Sequence, residues 1–366
     1  MHKKKWIDFS RGIAVLLVIM IHEGQYHSLP NFFKRITTSG DMGVLLFFIL
    51  SAITLFTSFE NRYKNDGINR NKYFFIRRFF RIAPLYYFFA LFYMSIEIIK
   101  TGFFNVPYWK ILVNILFLNG FFPTAINYIP PGGWSVGVEM IFYTTIPYLY
   151  KFIRNWKRAL ILLIFAILFS NLINLIDWYL VSKYTTYNYY NIRSWFFYFW
   201  FPNQFPVFVF GILFFYIISK LIIPKHISLI FLILSVSFFI LLSQFNFSLY
   251  YPYYFFQREY IYPIVFCFFL IGIKDYNFNN SFQSIFILIG RYSFCMYLLH
   301  FFIIDIYRYF IVTFNLEKSW GNNFIIIYLL VVTTTFKISK YVHKFELKGI
   351  NYGNNLINKL SNKNTF

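Results

Sequence analysis

Charge is scarce in this chain: only 13% of its 366 residues are Asp, Glu, Lys or Arg, against 59% hydrophobic residues. The loops between apolar runs are short, so no soluble domain is expected. Cysteine is nearly absent, and Cys267 and Cys295 both fall in apolar runs. That excludes a disulfide framework and argues against a cysteine zinc site. No small-residue cleavage site follows the first apolar run, which therefore stays as a helix. Also missing are a Walker loop, a dinucleotide-binding glycine pattern, HExxH and GxSxG, and with them the chemistries those motifs serve. No internal repeat suggests a transporter built of two related halves.

Acidic residues are the rarest charges, 13 against 34 Lys and Arg, for a net charge of +21. Nucleic acid is not the implied partner, because the basic residues sit in short loops between apolar runs, as positive-inside topology requires. Aromatic residues reach 26%, well beyond what interfacial belts use.

Segments suited to spanning lie near 10–28, 42–59, 82–99, 134–150, 159–180, 205–223, 227–245, 260–273, 293–313 and 323–342. An eleventh, Trp109 to Phe122, is shorter and contains Lys110. If it crossed, Lys151, Arg154, Lys157 and Arg158 would fall outside. If it is re-entrant or interfacial, that cluster returns to the cytoplasm with Lys3, Lys4 and Lys5, and Lys and Arg favour the inside by roughly three to one. The expectation is an all-α polytopic membrane protein with about ten transmembrane helices and both termini cytoplasmic. The polar stretch after Val342 reads as a basic tail.

Four stretches carry candidate chemistry. In WIDFSRGIAVLLVIMIHEG, Trp6 to Gly24, Arg11 and His22 lie eleven positions apart, on one helical face and ~16 Å apart along the axis. Each is costly in a bilayer without a partner or polar cavity, although terminal charges also snorkel to headgroups. In FIRRFFRIAPLYY, Arg78 and Arg81 share a helical face. They serve either as topology signals or as phosphate ligands without a glycine loop. Pro84 is read there as a first-turn proline, which costs little.

PPGGWSVGVEMIFY, Pro130 to Tyr143, forms a turn and then a helix opened by Trp134 and Ser135. Glu139, one turn on, faces the side of Ser135 and needs His22, an arginine or a proton as partner. GRYSFCMYLLH, Gly290 to His300, reads as a break and a helix, with His300 a hydrogen-bonded structural histidine. Glu346 in KFELKG is expected in a surface ion pair or cap.

Together these stretches resemble the acyltransferase-3 family of membrane O-acyltransferases. IDFSRGIAVLLVIMIH is similar to its opening Arg–His signature, GVLLFFILSA to its second-helix motif, RRFFRIAP to its RxxR motif, and GGWSVGVEMIFY to GGxWSxxxE. GRYSFCMYLLH and FELKGINYG follow in matching order. Leu45, Ala52 and Met140-Ile141 depart from the common residues, which bears on acceptor preference.

The resemblance implies a single acyltransferase domain over residues 1–345, a short polar tail over 346–366, and residence in a bacterial cytoplasmic membrane. It also implies acetyl-CoA as donor and a lipid-linked or surface glycan, such as O-antigen or exopolysaccharide, as acceptor, with no metal and no nucleic acid. His22 would act as base or transient acyl carrier, with Arg11 and Glu139 beside it in the catalytic set. Arg78 and Arg81, with Trp134 and Ser135, would hold the donor. A lipid-linked polysaccharide polymerase and a glycan or lipid transporter are the alternatives. Arg-rich outer loops, expected of the first, and mid-helix charges, expected of the second, are not evident.

Overall fold

A computed structural model describes residues 5–363 except 64, 103–106, 185–197, 219, 246–256, 277, 279 and 319–320. The topology signals at Lys3 and Lys4 lie outside the described residues. The described residues are helical or in turns, with no strand among them. In chain order the helices are α1 (Lys5–Gly24), α2 (Asn31–Thr38), α3 (Gly43–Arg62), α4 (Arg70–Thr101), α5 (Tyr108–Ile115), α6 (Gly133–Phe152) and α7 (Trp156–Tyr184). They continue with α8 (Phe201–Ile218), α9 (Lys225–Ser243), α10 (Arg258–Ile273), α11 (Ser281–Arg291), α12 (Ser293–Thr313) and α13 (Phe324–Lys363).

Among the described residues, seven segments are long and apolar enough to cross a membrane, containing α3, α4, α7, α8, α9, α12 and α13. Three expected spans fall short for physical reasons. α1 carries Asp8, Arg11 and Glu23, α6 carries Glu139 and several tyrosines, and α10 is only 16 residues long. Two of these three owe their polarity to residues of the candidate site. The segment from 109 onward forms only the eight-residue α5, ~12 Å long and far short of a bilayer.

Lipid-facing and core helices separate cleanly. α9 turns Leu229, Ile233, Val236 and Leu241 outward, whereas α3 is nearly all buried. α1 lies inside the bundle against α3, α11, α12 and α13. Its crossing with α11 is backbone on backbone: a Cβ on Gly290 would sit 1.6 Å from the Asp8 carbonyl oxygen. Small residues permit such approaches where helices cannot rely on hydrophobic exclusion from water.

One expectation about a helix end is corrected. α4 begins at Arg70, so Pro84 lies well inside it and not in its first turn. A proline there removes the N–H that would bond the Phe80 carbonyl and crowds that carbonyl with its ring, yet the helix runs on to Thr101. Gly349 of α13 backs onto that carbonyl, where a Cβ would come within 2.7 Å of the oxygen. Residues 346–363 continue α13, a 40-residue helix that packs its Gly349 and Gly353 against Phe80.

Candidate active site

A cavity of about 190 Å³ opens between α1, α3, α4, α6, α12 and α13. Arg11, Arg78, Arg81, Ser135 and Glu139, expected from separate motifs, all line it. α1 supplies Arg11, whose guanidinium reaches Thr54 of α3 at 3.5 Å and Asp8 at 3.8 Å. Arg78 and Arg81 come from one face of α4. Arg78 packs over the Phe74 ring at 5.6 Å, and its buried Nε has no hydrogen-bond partner. Guanidiniums gathered with one edge unused form a site suited to a multiply charged oxyanion such as a phosphate, which the planar fork binds bidentately.

Glu139 of α6 lines the cavity with these arginines. It accepts hydrogen bonds from Ser51 and, at 2.7 Å, from Tyr143. Among the described residues its hydrogen bonds go to these two hydroxyls and not to His22. The pairing of Glu139 with His22 considered from the sequence is therefore not what the geometry brings together.

The far end of the cavity is built by the GGWS turn. Gly132 has φ of +75°, a left-handed conformation that a side chain would strain. A Cβ there would also lie 3.1 Å from the Phe301 ring and 3.2 Å from the Tyr297 hydroxyl. That close approach lets Tyr297 donate to the Gly132 carbonyl at 3.0 Å while Ser135 donates to Tyr297 at 2.8 Å. Trp134 points the other way, into an aromatic cluster with Phe48 and Phe199, and does not line the cavity.

Behind Tyr297 sit the histidines. The His300 and Tyr297 ring centroids are 5.8 Å apart, and those of His300 and His22 are 5.2 Å apart. His300 is fully buried and bonds the Tyr297 carbonyl through Nδ1 at 2.7 Å, leaving Nε2 without a partner. Phe301 closes the group, with its ring 4.4 Å from that of His22 and 4.1 Å from that of His300. His22 thus lies outside the arginine cavity, next to the Tyr297 end of it. Arg11 and His22 lie on the same helix, one in the cavity wall and the other beyond its Tyr297 end.

Several functional neighbours were not foreseen. Asp8, 2% exposed, holds Arg11 and also Arg291, at 3.6 Å. Its position three residues before Arg11 was the available signal. His300 stands beside His22 rather than alone in an apolar helix. Glu346 is not at the surface: it is buried on the cavity wall, bound by His343 Nδ1 at 2.8 Å and approached by Cys295 Sγ at 3.6 Å. Cys295, His343 and Glu346 place three potential metal-ligand atoms within 4.8 Å of one another. Both contacts within the group go to one oxygen of the carboxylate, Glu346 Oε2.

A bundle of apolar helices enclosing a charged cavity and a histidine pair points to a multi-pass membrane protein with a polar interior. The acyltransferase-3 family profile, described as an acyltransferase domain, matches residues 4–341. The chain belongs to that family and is a membrane acyltransferase. No curated protein and no solved structure matches the chain.

Proposed function

We propose that this protein transfers an acetyl group from cytosolic acetyl-CoA to a hydroxyl of a lipid-linked or surface glycan of the O-antigen or exopolysaccharide kind. It would do so in a bacterial cytoplasmic membrane, with ten crossings and both termini cytoplasmic. The supporting observation is one of continuity: the arginine cavity ends at Ser135 and Tyr297, Tyr297 packs on His300, and His300 packs on His22. Arg11, Arg78 and Arg81 take the CoA phosphates near the inner surface. His22 lies ~16 Å further along α1, a distance for the extended pantetheine arm to cover.

At that depth His22 takes the proton of the acceptor hydroxyl as its oxygen attacks the thioester carbonyl. The C–S bond then breaks, and the imidazolium returns the proton to the departing CoA thiolate. If His22 instead carries the acetyl group transiently, the same atoms move in two steps. Glu139 balances the arginine charge and holds Tyr143 and Ser51 in place. Ser135 and Tyr297 line the route between donor and histidine.

His22→Ala tests the reading. A general base contributes ~10²–10⁴-fold in rate, so the variant should lose O-acetylation of surface glycan at unchanged protein level while still binding acetyl-CoA. His300→Ala should lower transfer without abolishing it, because it removes packing and leaves the His22 imidazole. A hydroxylamine-labile label on His22 from acetyl-CoA alone would mark the carrier route. Wild-type glycan acetylation in His22→Ala would refute the assignment.

A further inference from the structure

α4 carries a second polar cluster at its other end. Glu97 and Lys100 lie nineteen positions beyond Arg78 and Arg81, ~28 Å along the axis, close to the thickness of a hydrocarbon core. They line a cavity of about 610 Å³ with Tyr93, Tyr128, Phe301 and Asp305. Lys100 Nζ lies 3.8 Å from the Asp305 carboxylate, both half-exposed. Glu97 makes no side-chain hydrogen bond or ion pair among the described residues. Tyr93 is held by the Leu298 carbonyl, to which it donates at 2.9 Å, and by the Phe302 amide at 3.2 Å.

The decisive contact is Phe301. It forms part of this cavity's wall, and its ring also touches both His22 and His300. The two cavities therefore approach the same histidine pair from opposite ends of α4. Their chemistry is opposite as well. The inner one presents arginines, whereas this one presents two carboxylates, one ammonium and aromatic faces. An ionised carboxylate accepts through two oxygens with about four lone-pair sites and does not donate, which suits adjacent hydroxyls. Aromatic faces suit the C–H face of a pyranose ring. Two negative charges against one positive disfavour a polyphosphate here.

Building on the acetyl-transfer reading, we propose that this cavity is the acceptor subsite, taking a neutral or amino sugar whose hydroxyls bind Glu97 and Asp305. The test uses the purified full-length protein in detergent, radiolabelled acetyl-CoA, and surface glycan from its own cells stripped of O-acetyl groups by mild alkali. Glu97→Gln and Asp305→Asn keep shape and exposure, so folding is not at stake. Each should raise the KM for glycan by roughly tenfold, as expected for a hydrogen bond to a charged group. The KM for acetyl-CoA should rise by much less. No rise in glycan KM in either variant, or an equal rise for both substrates, overturns the subsite. If the wild-type protein itself transfers no label to the glycan, the acetyl-transfer reading fails first, and this one with it.

Discussion

Substituting alanine at Gly132 separates two costs that are usually confounded. Gly132 and Gly67 both hold left-handed backbone, with φ of +75° and +52°. An L side chain pays about 1–2 kcal/mol for that conformation. Around Gly67 nothing lies within 4 Å of where a Cβ would be, so the backbone term is the whole cost there. At Gly132 the new methyl would meet Phe301 at 3.1 Å and the Tyr297 hydroxyl at 3.2 Å, inside the ~3.5–4.0 Å of ordinary carbon contacts. Overpacking of this kind adds about 1–3 kcal/mol.

The larger consequence is positional. Tyr297 and Phe301 both pack against His300, and Phe301 also packs against His22. Misplacing reacting groups by ~1 Å can cost ~10²-fold in rate. Gly132→Ala should therefore lower acetyl transfer at least tenfold per folded molecule, while Gly67→Ala lowers only the thermal midpoint. Transfer in membranes, normalised to protein level, and fluorescence-detected thermal unfolding read the two effects. If the two variants behave alike, the packing of the turn against Tyr297 and Phe301 has no part in positioning the histidines.

The arginines and the topology supply further checks. Arg81→Ala should weaken acetyl-CoA binding by tenfold or more with the protein still folded, and Arg81→Lys should restore only part of it, since an ammonium lacks the bidentate fork. Equal donor affinity in all three proteins would reduce Arg81 to a topology signal. Lys157→Cys should react with a membrane-impermeant thiol reagent only from the cytoplasmic side, and Asn127→Cys only from outside. Labelling of the first from outside would break the ten-helix arrangement.

The depth at which sequence reasoning stopped follows from what a helix encodes. Register places Arg78 on the face of Arg81 and Ser135 on the face of Glu139, and all four do line one cavity. Register does not say which other helix that face meets. His300 and Glu346 were therefore read as background, although packing puts one beside His22 and the other in the cavity wall. Trp134 shows the reverse error: its neighbour Ser135 faces the cavity, but one helical step turns Trp134 by ~100° into the aromatic core. Pro84 misled because a proline suggests a boundary. Here α4 continues through it, and Gly349 packs on the carbonyl left free.

That unbroken α4 has a further consequence. A single 32-residue rod bears Arg78 and Arg81 toward one end and Glu97 and Lys100 toward the other. Inserting one residue between them would turn the two halves by ~100° against each other and shift them by ~1.5 Å. Either the guanidiniums or the Glu97 carboxylate and Lys100 ammonium would then leave their cavity. Related chains should accordingly vary in the loops at either end of this helix, yet keep the count from Arg81 to Glu97 fixed, and grafting a new outer end from a relative should succeed only in that frame.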